Sequence, residues 1–475
     1  KAYGISAADM DEDGNISNKG TIIVSADANT VNTLDGVSSL AVGIDIDTLD
    51  GTLINSGTVI ASVANDGDAF AVRVNGGTGQ ATFTTASILV GRLAIAGSVG
   101  VEVQSVTNTG SVYWTFEGTP DESDLSDTSR IAKSITRNND DGPALYYDAD
   151  NNIVATVEPA NLAFSGLIAS EVANLGSDTI YSLLSGTQTS GVVVSQNATP
   201  MSEGGITNFV QGDYVYRQIN NAAGRTLEYD VSGVTAGITG QLQNGLRYGV
   251  TVSGVNANGA VATDIGADTI DTNGVVLGTY GRAQLGSTSL TFGTTFGRLS
   301  NKGSRDINDN LALGGVTTVK SSNDSTFFSP SIELSNVVQS GAVTFQPHMG
   351  YRLTRLNIDG YTETGGPAAA TFASHTVDVS DFSIGVDMSM VYGGGILTGS
   401  AEILRRNVSD DGTSFTFLGD TGNTASAATD FTGLELGVGY DVELVTGTMN
   451  FGVSGMIGKD DASAYGLTAG YRVSF

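Results

Sequence analysis

Cysteine is absent from the 475 residues, which removes disulfides, thiolate metal sites and cysteine nucleophiles together. Histidine is nearly absent. His348 and His375 are the only two, both fall in the C-terminal half, and no Ser-His-Asp triad can be assembled in the N-terminal part. With no G-x-S-x-G elbow, phosphate loop or metal-binding His pair either, the sequence reads as non-enzymatic. Lys and Arg number 21 against 50 acidic residues, and the resulting charge of −29 argues against nucleic acid as a partner. No run approaches the roughly 20 apolar residues of a membrane-spanning helix. That leaves a membrane barrel open, because its strands need only about 10 alternating residues each. No basic and apolar leader opens the chain at Lys1, so any signal peptide is expected to have been removed or to lie outside this sequence. What remains is a chain with 64 Gly, 7 Pro, 40% hydrophobic and only 15% charged residues, neither an acidic disordered tail nor a typical cytosolic enzyme.

The strongest signal is a period of two in the C-terminal half. Tyr465, Leu467, Ala469, Tyr471, Val473 and Phe475 alternate with Gly466, Thr468, Gly470, Arg472 and Ser474, setting an apolar face against a small or polar one. The wet face would point outward in a soluble sandwich and into the lumen in a membrane barrel, so alternation does not choose. The connections do. Strands at roughly 208–219, 228–240, 246–258, 273–285, 288–300, 319–338, 342–356, 376–391, 395–408, 431–443, 447–458 and 463–475 are joined alternately by tight turns (near Gln243, Gly286, Gly341, Gly394 and Thr446) and by mostly longer polar loops. Short turns on one rim, long loops on the other and an even count predict a twelve-stranded antiparallel transmembrane β-barrel over 206–475.

Upstream, Phe164, Ile168, Val172 and Leu175 recur at helical spacing after Pro159, predicting a helix over about 158–186, interrupted at Gly176-Ser177-Asp178, within a linker region 131–205. Residues 1–130 carry a degenerate repeat: Asn18-Lys19-Gly20-Thr21-Ile22, Asn55-Ser56-Gly57-Thr58-Val59 and Asn108-Thr109-Gly110-Ser111-Val112. With short alternations between, such as Val42-Gly43-Ile44 and Phe70-Ala71-Val72, this predicts a short β-solenoid (β-helix-like) segment of a few stacked rungs. The stretch from about Asp121 to Asp150 has no period and reads as linker. The fold class is all-β with one helix.

One short motif suggests an ion. Asp9, Asp11, Asp13, Asn15 and Ser17, with Gly14 for the turn, match the first nine places of a calcium loop, although Gly20 stands where its twelfth-position Glu belongs. Calcium binding and a solvated acidic turn are the two readings; no cofactor is required. Asp148, Asp150 and Asn152 echo it faintly.

In order along the chain, several segments resemble monomeric autotransporters of type V secretion. They are Thr156-Val157-Glu158-Pro159-Ala160, Gly233-Val234-Thr235-Ala236-Gly237 followed by Leu246-Arg247-Tyr248-Gly249-Val250, the series Pro347, Tyr351, Leu356, Gly360, Tyr361, Glu363 and Gly365, and the terminal Tyr471-Arg472-Val473-Ser474-Phe475. Phe209 stands where the family's first strand usually has Trp. The resemblance implies an outer-membrane translocator barrel with a helix threading its lumen, carrying a surface-exposed passenger. It also implies insertion by the barrel-assembly machinery, which reads a terminal signal similar to Tyr471, Val473 and Phe475. Within such a barrel Arg247, Tyr280, Arg282, Gln284 and Arg472 are expected to face the lumen, hydrogen-bonding the helix or simply lining a wet interior. Linker cleavage at Asn138-Asn139-Asp140-Asp141 or Asn151-Asn152 follows only from similar proteins. The expected role is structural or adhesive, with outer-membrane lipid and a host or surface ligand as partners; a plugged pore gated by the N-terminal region is the alternative.

Overall fold

The computed structural model describes residues 1–26, 39–64, 67–106, 110–117, 135–138, 144–157, 162–185, 206–220, 226–242, 245–410, 412–423, 430–459 and 462–474. The barrel strands are β1 (Ile206–Asn220), β2 (Thr226–Gln241), β3 (Arg247–Thr263), β4 (Gly266–Leu285), β5 (Thr288–Asp309), β6 (Val316–Asn336), β7 (Val343–Ile358), β8 (His375–Tyr392), β9 (Gly395–Asp410), β10 (Phe431–Leu444), β11 (Gly447–Gly458) and β12 (Ser463–Ser474). Each pairs antiparallel with the next, and β12 returns to β1 from Thr207↔Ser474 to Gln218↔Ser463, leaving no edge. Closure is what lipid demands, since an unpaired backbone group there has no water to turn to. The alternation now has a direction: Tyr465 and Leu467 point outward to lipid, while Thr468, on the opposite parity, is buried toward the lumen. On the lipid face of the closing seam, the Tyr216 and Tyr465 rings stack with centroids 4.9 Å apart.

All twelve strands expected from the sequence are present, but four run farther at one rim. The stretch around Ala267, read as a long polar loop, is paired strand as far as Thr263↔Gly266, with a two-residue turn at 264–265. Likewise Asn308↔Val316 closes a β5–β6 hairpin where a loop over 301–320 was expected. Polar composition there means that the sheet has left the apolar belt, not that it has ended; Asn256 and Asn273, for example, bond across the strands at 2.8 Å. At the opposite rim 286–287, 393–394 and 445–446 are two-residue turns, with Gly286, Gly393 and Gly394 at φ of 68°, 59° and 86°. The two longest connections, 359–374 and 411–430, carry Tyr361–Thr362, Thr371–Phe372, Ser414–Phe417 and Asp420–Asn423, which make a small four-stranded sheet beside the barrel mouth.

Tyr280 illustrates how the wall is fitted. Its ring lies over Gly249 of the neighbouring strand, and its hydroxyl meets Thr239 Oγ1 at 2.5 Å. A Cβ on Gly249 would sit 2.2 Å from that ring and 2.4 Å from the Ile238 carbonyl oxygen. Gly249→Val is therefore expected to cost about 1–3 kcal/mol of barrel stability by overpacking, seen as a lower urea midpoint for loss of the heat-dependent gel mobility of the folded barrel. An unchanged midpoint would show that the ring moves aside freely.

The N-terminal residues coil into three stacks of parallel strands. One stack holds Ala2–Met10, Ser39–Leu49, Gly67–Val74, Arg92–Ile95 and Ser111–Glu117. A second holds Asn15–Asn18, Thr52–Asn55, Gln80–Thr84, Gly100–Gln104 and Ile135–Asn138. The third holds Thr21–Ala26, Thr58–Val63 and Ile88–Val90. Ile44, Leu53, Val59, Val72, Phe83, Leu89, Val101 and Trp114 fill the interior, buried on all sides. The repeated Asn residues form an internal ladder: Asn18 Nδ2 donates to Asn55 Oδ1 at 2.7 Å, and Asn55 Nδ2 to Ser87 Oγ at 3.0 Å. Ser87 is the third member of that ladder, so the repeat is masked in the sequence by a change of residue. The third repeat expected from the sequence begins at Asn108-Thr109, which lies outside the described residues.

Two strands stand where a linker was expected. Leu145–Asp148 and Ile153–Thr156 form a hairpin whose second strand pairs with Tyr113–Thr115, sealing the outer edge of the last rung. Ile135–Asn138 likewise belongs to the second stack. Strands this short carry too few alternations to show a period.

Candidate functional site

The lumen is occupied by a helix, α1 (Leu162–Ser185). Phe164 sits beside Gly259 and edge-on to Tyr229, with ring centroids 6.4 Å apart, near the rim of extended strands. Leu175 lies against Gly233, farther down β2. The helix thus carries the chain from that rim into the barrel, whereas β1 starts at the rim of short turns. Its Phe164, Leu167, Ile168, Val172 and Leu175 join Val215, Leu227, Val255, Leu299, Phe327 and Val377 of the wall in one buried cluster. Small residues let the helix fit: a Cβ on Gly166 would meet Val377 at 2.7 Å. The backbone stays helical through Gly176-Ser177-Asp178, where an interruption was expected; the ends of the expected range, 158–161 and 186, lie outside the described residues.

A charged network crosses this apolar packing. Glu171 Oε1 receives Arg217 Nη2 at 2.9 Å and Arg406 Nη1 at 2.7 Å. Arg406 grips Asp381 with both arms, at 2.7 and 2.9 Å, and Ser170 Oγ of the helix donates to the same carboxylate at 3.2 Å. Phe431 lies under both guanidinium groups, 5.1 and 5.2 Å from its ring centre. All four charged side chains are at most 4% exposed. Two cations against two anions in a dry interior is a balanced set; any single deletion leaves a charge without its counterpart.

Arg247, Tyr280, Arg282, Gln284 and Arg472 sit on the lumen parity of their strands, and four of them bond groups of the wall, Tyr280 through Thr239. Arg282 Nη2 donates to Ser289 Oγ at 2.8 Å, Gln284 Nε2 to the Gly286 carbonyl at 2.7 Å, and Arg472 approaches Asp441 at 3.9 Å. Gln284 is exposed. Among the described residues the charged partners of the helix are Arg217, Asp381 and Arg406. Lower in the lumen His348 lies between Asp387 at 3.1 Å and Glu402 at 3.0 Å, with Glu333 buried nearby. Of the terminal signal, Tyr471 and Val473 lie on the β12 parity of the lipid-facing Leu467, and Tyr471 OH bonds Thr446 Oγ1 at 2.8 Å; Phe475 lies outside the described residues.

The acidic motif spans a corner between two strands of the solenoid. Asp9 is the last residue but one of the strand Ala2–Met10, Asn15 and Ser17 lie on the next, and Asp11 and Asp13 occupy the corner, where Gly14 N bonds Asp11 O at 2.9 Å. All five side chains are exposed, and among the described residues no three carboxylate or imidazole groups gather to hold a metal. Glycine is required at the corners that stack on this one: a Cβ on Gly51 would lie 2.1 Å from the Gly14 carbonyl, and one on Gly79 2.2 Å from that of Gly51. Asp148, in the fainter echo, caps its own hairpin turn by accepting from the backbone of Asp150 and Asn151 and from the Asn151 amide, bonds that hold its carboxyl below the usual range. Asn151 and Asn152 form this tight turn, with Asn152 at φ 57°. Of the other suggested cleavage site, Asn138 ends a strand and 139–141 lie outside the described residues.

A closed twelve-stranded barrel with a lumenal helix defines the class as an outer-membrane translocator. The comparisons agree. The family model of the autotransporter β-domain matches residues 209–472. Among solved structures, the translocator domain of the autotransporter NalP from Neisseria meningitidis is 16% identical with a TM-score of 0.50, covering 66% of this chain and 100% of its own. The β domain of the Bordetella autotransporter BrkA (14% identity, TM-score 0.41, 57% of this chain, 100% of its own) and the transport unit of AIDA-I from Escherichia coli (12%, 0.37, 67%, 100%) are also similar. No curated protein matches. This chain belongs to the autotransporter β-domain family and is an outer-membrane β-barrel protein of type V secretion.

Proposed function

We propose that the barrel translocates and anchors the N-terminal solenoid as a short passenger, displayed at the outer face, with a structural or adhesive role. The observation that carries this reading is the chain path: the solenoid stands on the rim of extended strands, and α1 leads from there into the lumen. The rim of two-residue turns suits the periplasm, and the opposite one the exterior. A catalytic passenger is disfavoured, since both histidines belong to the barrel. Protease added to intact cells is expected to degrade the solenoid and leave the barrel; a solenoid cut only after the outer membrane is permeabilised would defeat the reading.

The filled lumen favours a closed barrel. In planar bilayers the full chain is expected to conduct little, and deletion of residues 1–190 to raise single-channel conductance severalfold. A large, steady conductance in the intact chain, unchanged by the deletion, would sink the idea that the helix is a plug.

A further inference from the structure

The outer face of the barrel is not uniform where its apolar belt ends. On β5, β7 and β9, which run toward the rim of extended strands, the last outward apolar residues are Phe296, Leu353 and Ile403. The next outward residue is in each case arginine: Arg298, Arg355 and Arg405, all exposed. On β1–β4 the same position holds Gln218, Ser232, Gly254 and Asn273, none of them charged, and the next outward step on β2 and β4 is acidic, at Asp230 and Asp271. A chain with 21 basic residues against 50 acidic ones thus sets three of the basic ones in one arc, at the level where hydrocarbon gives way to headgroups. Neighbouring arginines stand two strands apart, about 10 Å across the sheet.

Fold stability does not account for this placement. Arg298 Nη2 donates to Asp324 at 2.7 Å, and Arg355 donates to Asp378 through Nε and Nη2 at 2.8 and 2.7 Å. Both acids lie on the strands between, one outward step farther from the belt, and the two arginines stay 72% and 59% exposed. Pairs this open add little to stability, but they orient the guanidinium groups. Arg405 bonds Asn407 at 3.2 Å and has no ion-pair partner among the described residues. Strand register sets Arg355 beside Phe328 and Arg405 beside Phe382, so each cation borders an aromatic ring of the belt. We propose that Arg298, Arg355 and Arg405 form a docking surface for a phosphorylated glycolipid of the outer leaflet. Its phosphates meet the guanidinium groups, whose planar N–H forks match phosphate oxygens, and its acyl chains lie along Phe296, Phe328, Phe382 and Ile403. The spacing of the arginines suits a disaccharide headgroup with a phosphate at each end. The assignment to the outer leaflet rests on the orientation proposed above, which puts the extended rim outside.

The test uses the full chain folded in micelles of a neutral detergent, where both rims are open to added lipid and the result does not depend on orientation in a membrane. The probes are an acylated diglucosamine bisphosphate, the same glycolipid stripped of its phosphates, and phosphatidylglycerol. Native mass spectrometry counts bound lipid, and the urea midpoint for loss of the heat-dependent gel mobility reads stabilisation. The bisphosphate is expected to bind and raise the midpoint, and the stripped glycolipid to bind about tenfold more weakly or less. Arg405→Gln, which breaks no ion pair, should weaken the bisphosphate about fivefold, and its combination with Arg298→Gln and Arg355→Gln should do so by on the order of a hundredfold. Lys19→Gln, at an exposed site in the solenoid, should bind as the parent. Equal binding of the bisphosphate and the stripped glycolipid, or unchanged affinity in the single and triple variants, would overturn the proposal. So would equal binding of phosphatidylglycerol, which would make the surface a general anionic-lipid contact. Should the triple variant fail to fold, Arg405→Gln decides alone. Binding in micelles together with a solenoid that protease reaches only after permeabilisation would defeat the orientation, and with it the outer leaflet as the source.

Discussion

Arg406→Ala is expected to destabilise the plugged barrel by about 3–5 kcal/mol, because it strips Asp381 of its bidentate partner and leaves a carboxylate in a dry interior. Glu171 keeps Arg217, so the loss concentrates on Asp381 and the helix residue Ser170 bound to it. Two readouts should move together: a lower urea midpoint for barrel mobility, and protease access to the helix. The sharper arm is a double replacement. Arg406→Met with Asp381→Leu removes both charges and leaves the Glu171–Arg217 pair, so it should recover most of the lost stability, as apolar substitution of buried pairs often does. If the double variant is no more stable than Arg406→Ala, the cost is one of packing against Phe431 rather than of unpaired charge.

The second large effect is expected outside the lumen. Glu363→Ala should loosen the junction between solenoid and barrel by about 3–5 kcal/mol. Glu363 holds Arg305 Nη2 at 2.7 Å with both side chains 1% exposed, and its Oε2 also accepts from Ala370 N at 3.0 Å. Arg305 in turn donates to Ser111 Oγ at 2.8 Å and to the Ala368 carbonyl at 3.2 Å. One ion pair thus ties β5, the connection 359–374 and the last rung together over an apolar floor of Tyr113, Ile307, Val319, Tyr361, Phe372 and Phe415. The check is hydrogen exchange: protection at 111–117 should fall in Glu363→Ala while β10–β12 stay protected, and Glu363→Gln, which keeps the acceptor, should lie between. Uniform loss along the whole barrel would place the defect elsewhere.

The barrel was legible because its alternation is long and one face is uniformly apolar; Leu434, Leu436 and Val438 on one parity and Glu435 and Asp441 on the other define a strand without help. The polar ends of β3–β6 were not, since outside the lipid neither face needs to be apolar and the stretch around Ala267 reads as a loop. For the solenoid the Asn ladder showed through at Asn18 and Asn55 and vanished at Ser87, where a hydroxyl takes the same role. The lumen network was the least visible part. Glu171 does stand out as an acid within an apolar helical stretch, but its partners lie 46 and 235 residues away, and nothing local distinguishes Arg217 and Arg406 from Arg247 or Arg472. The acidic motif at Asp9 carries two readings in the sequence because a stacked corner and a calcium loop both want acids or Asn spaced around a glycine.

The helix in the lumen has a topological consequence. With α1 passing through a ring whose β1–β12 seam is fully paired, solenoid and barrel are interlocked like a bead on a knotted string, the bulky solenoid acting as the stopper. Breaking every contact at the rim would let the solenoid swing on its tether without setting it free. Release needs a cut in the backbone.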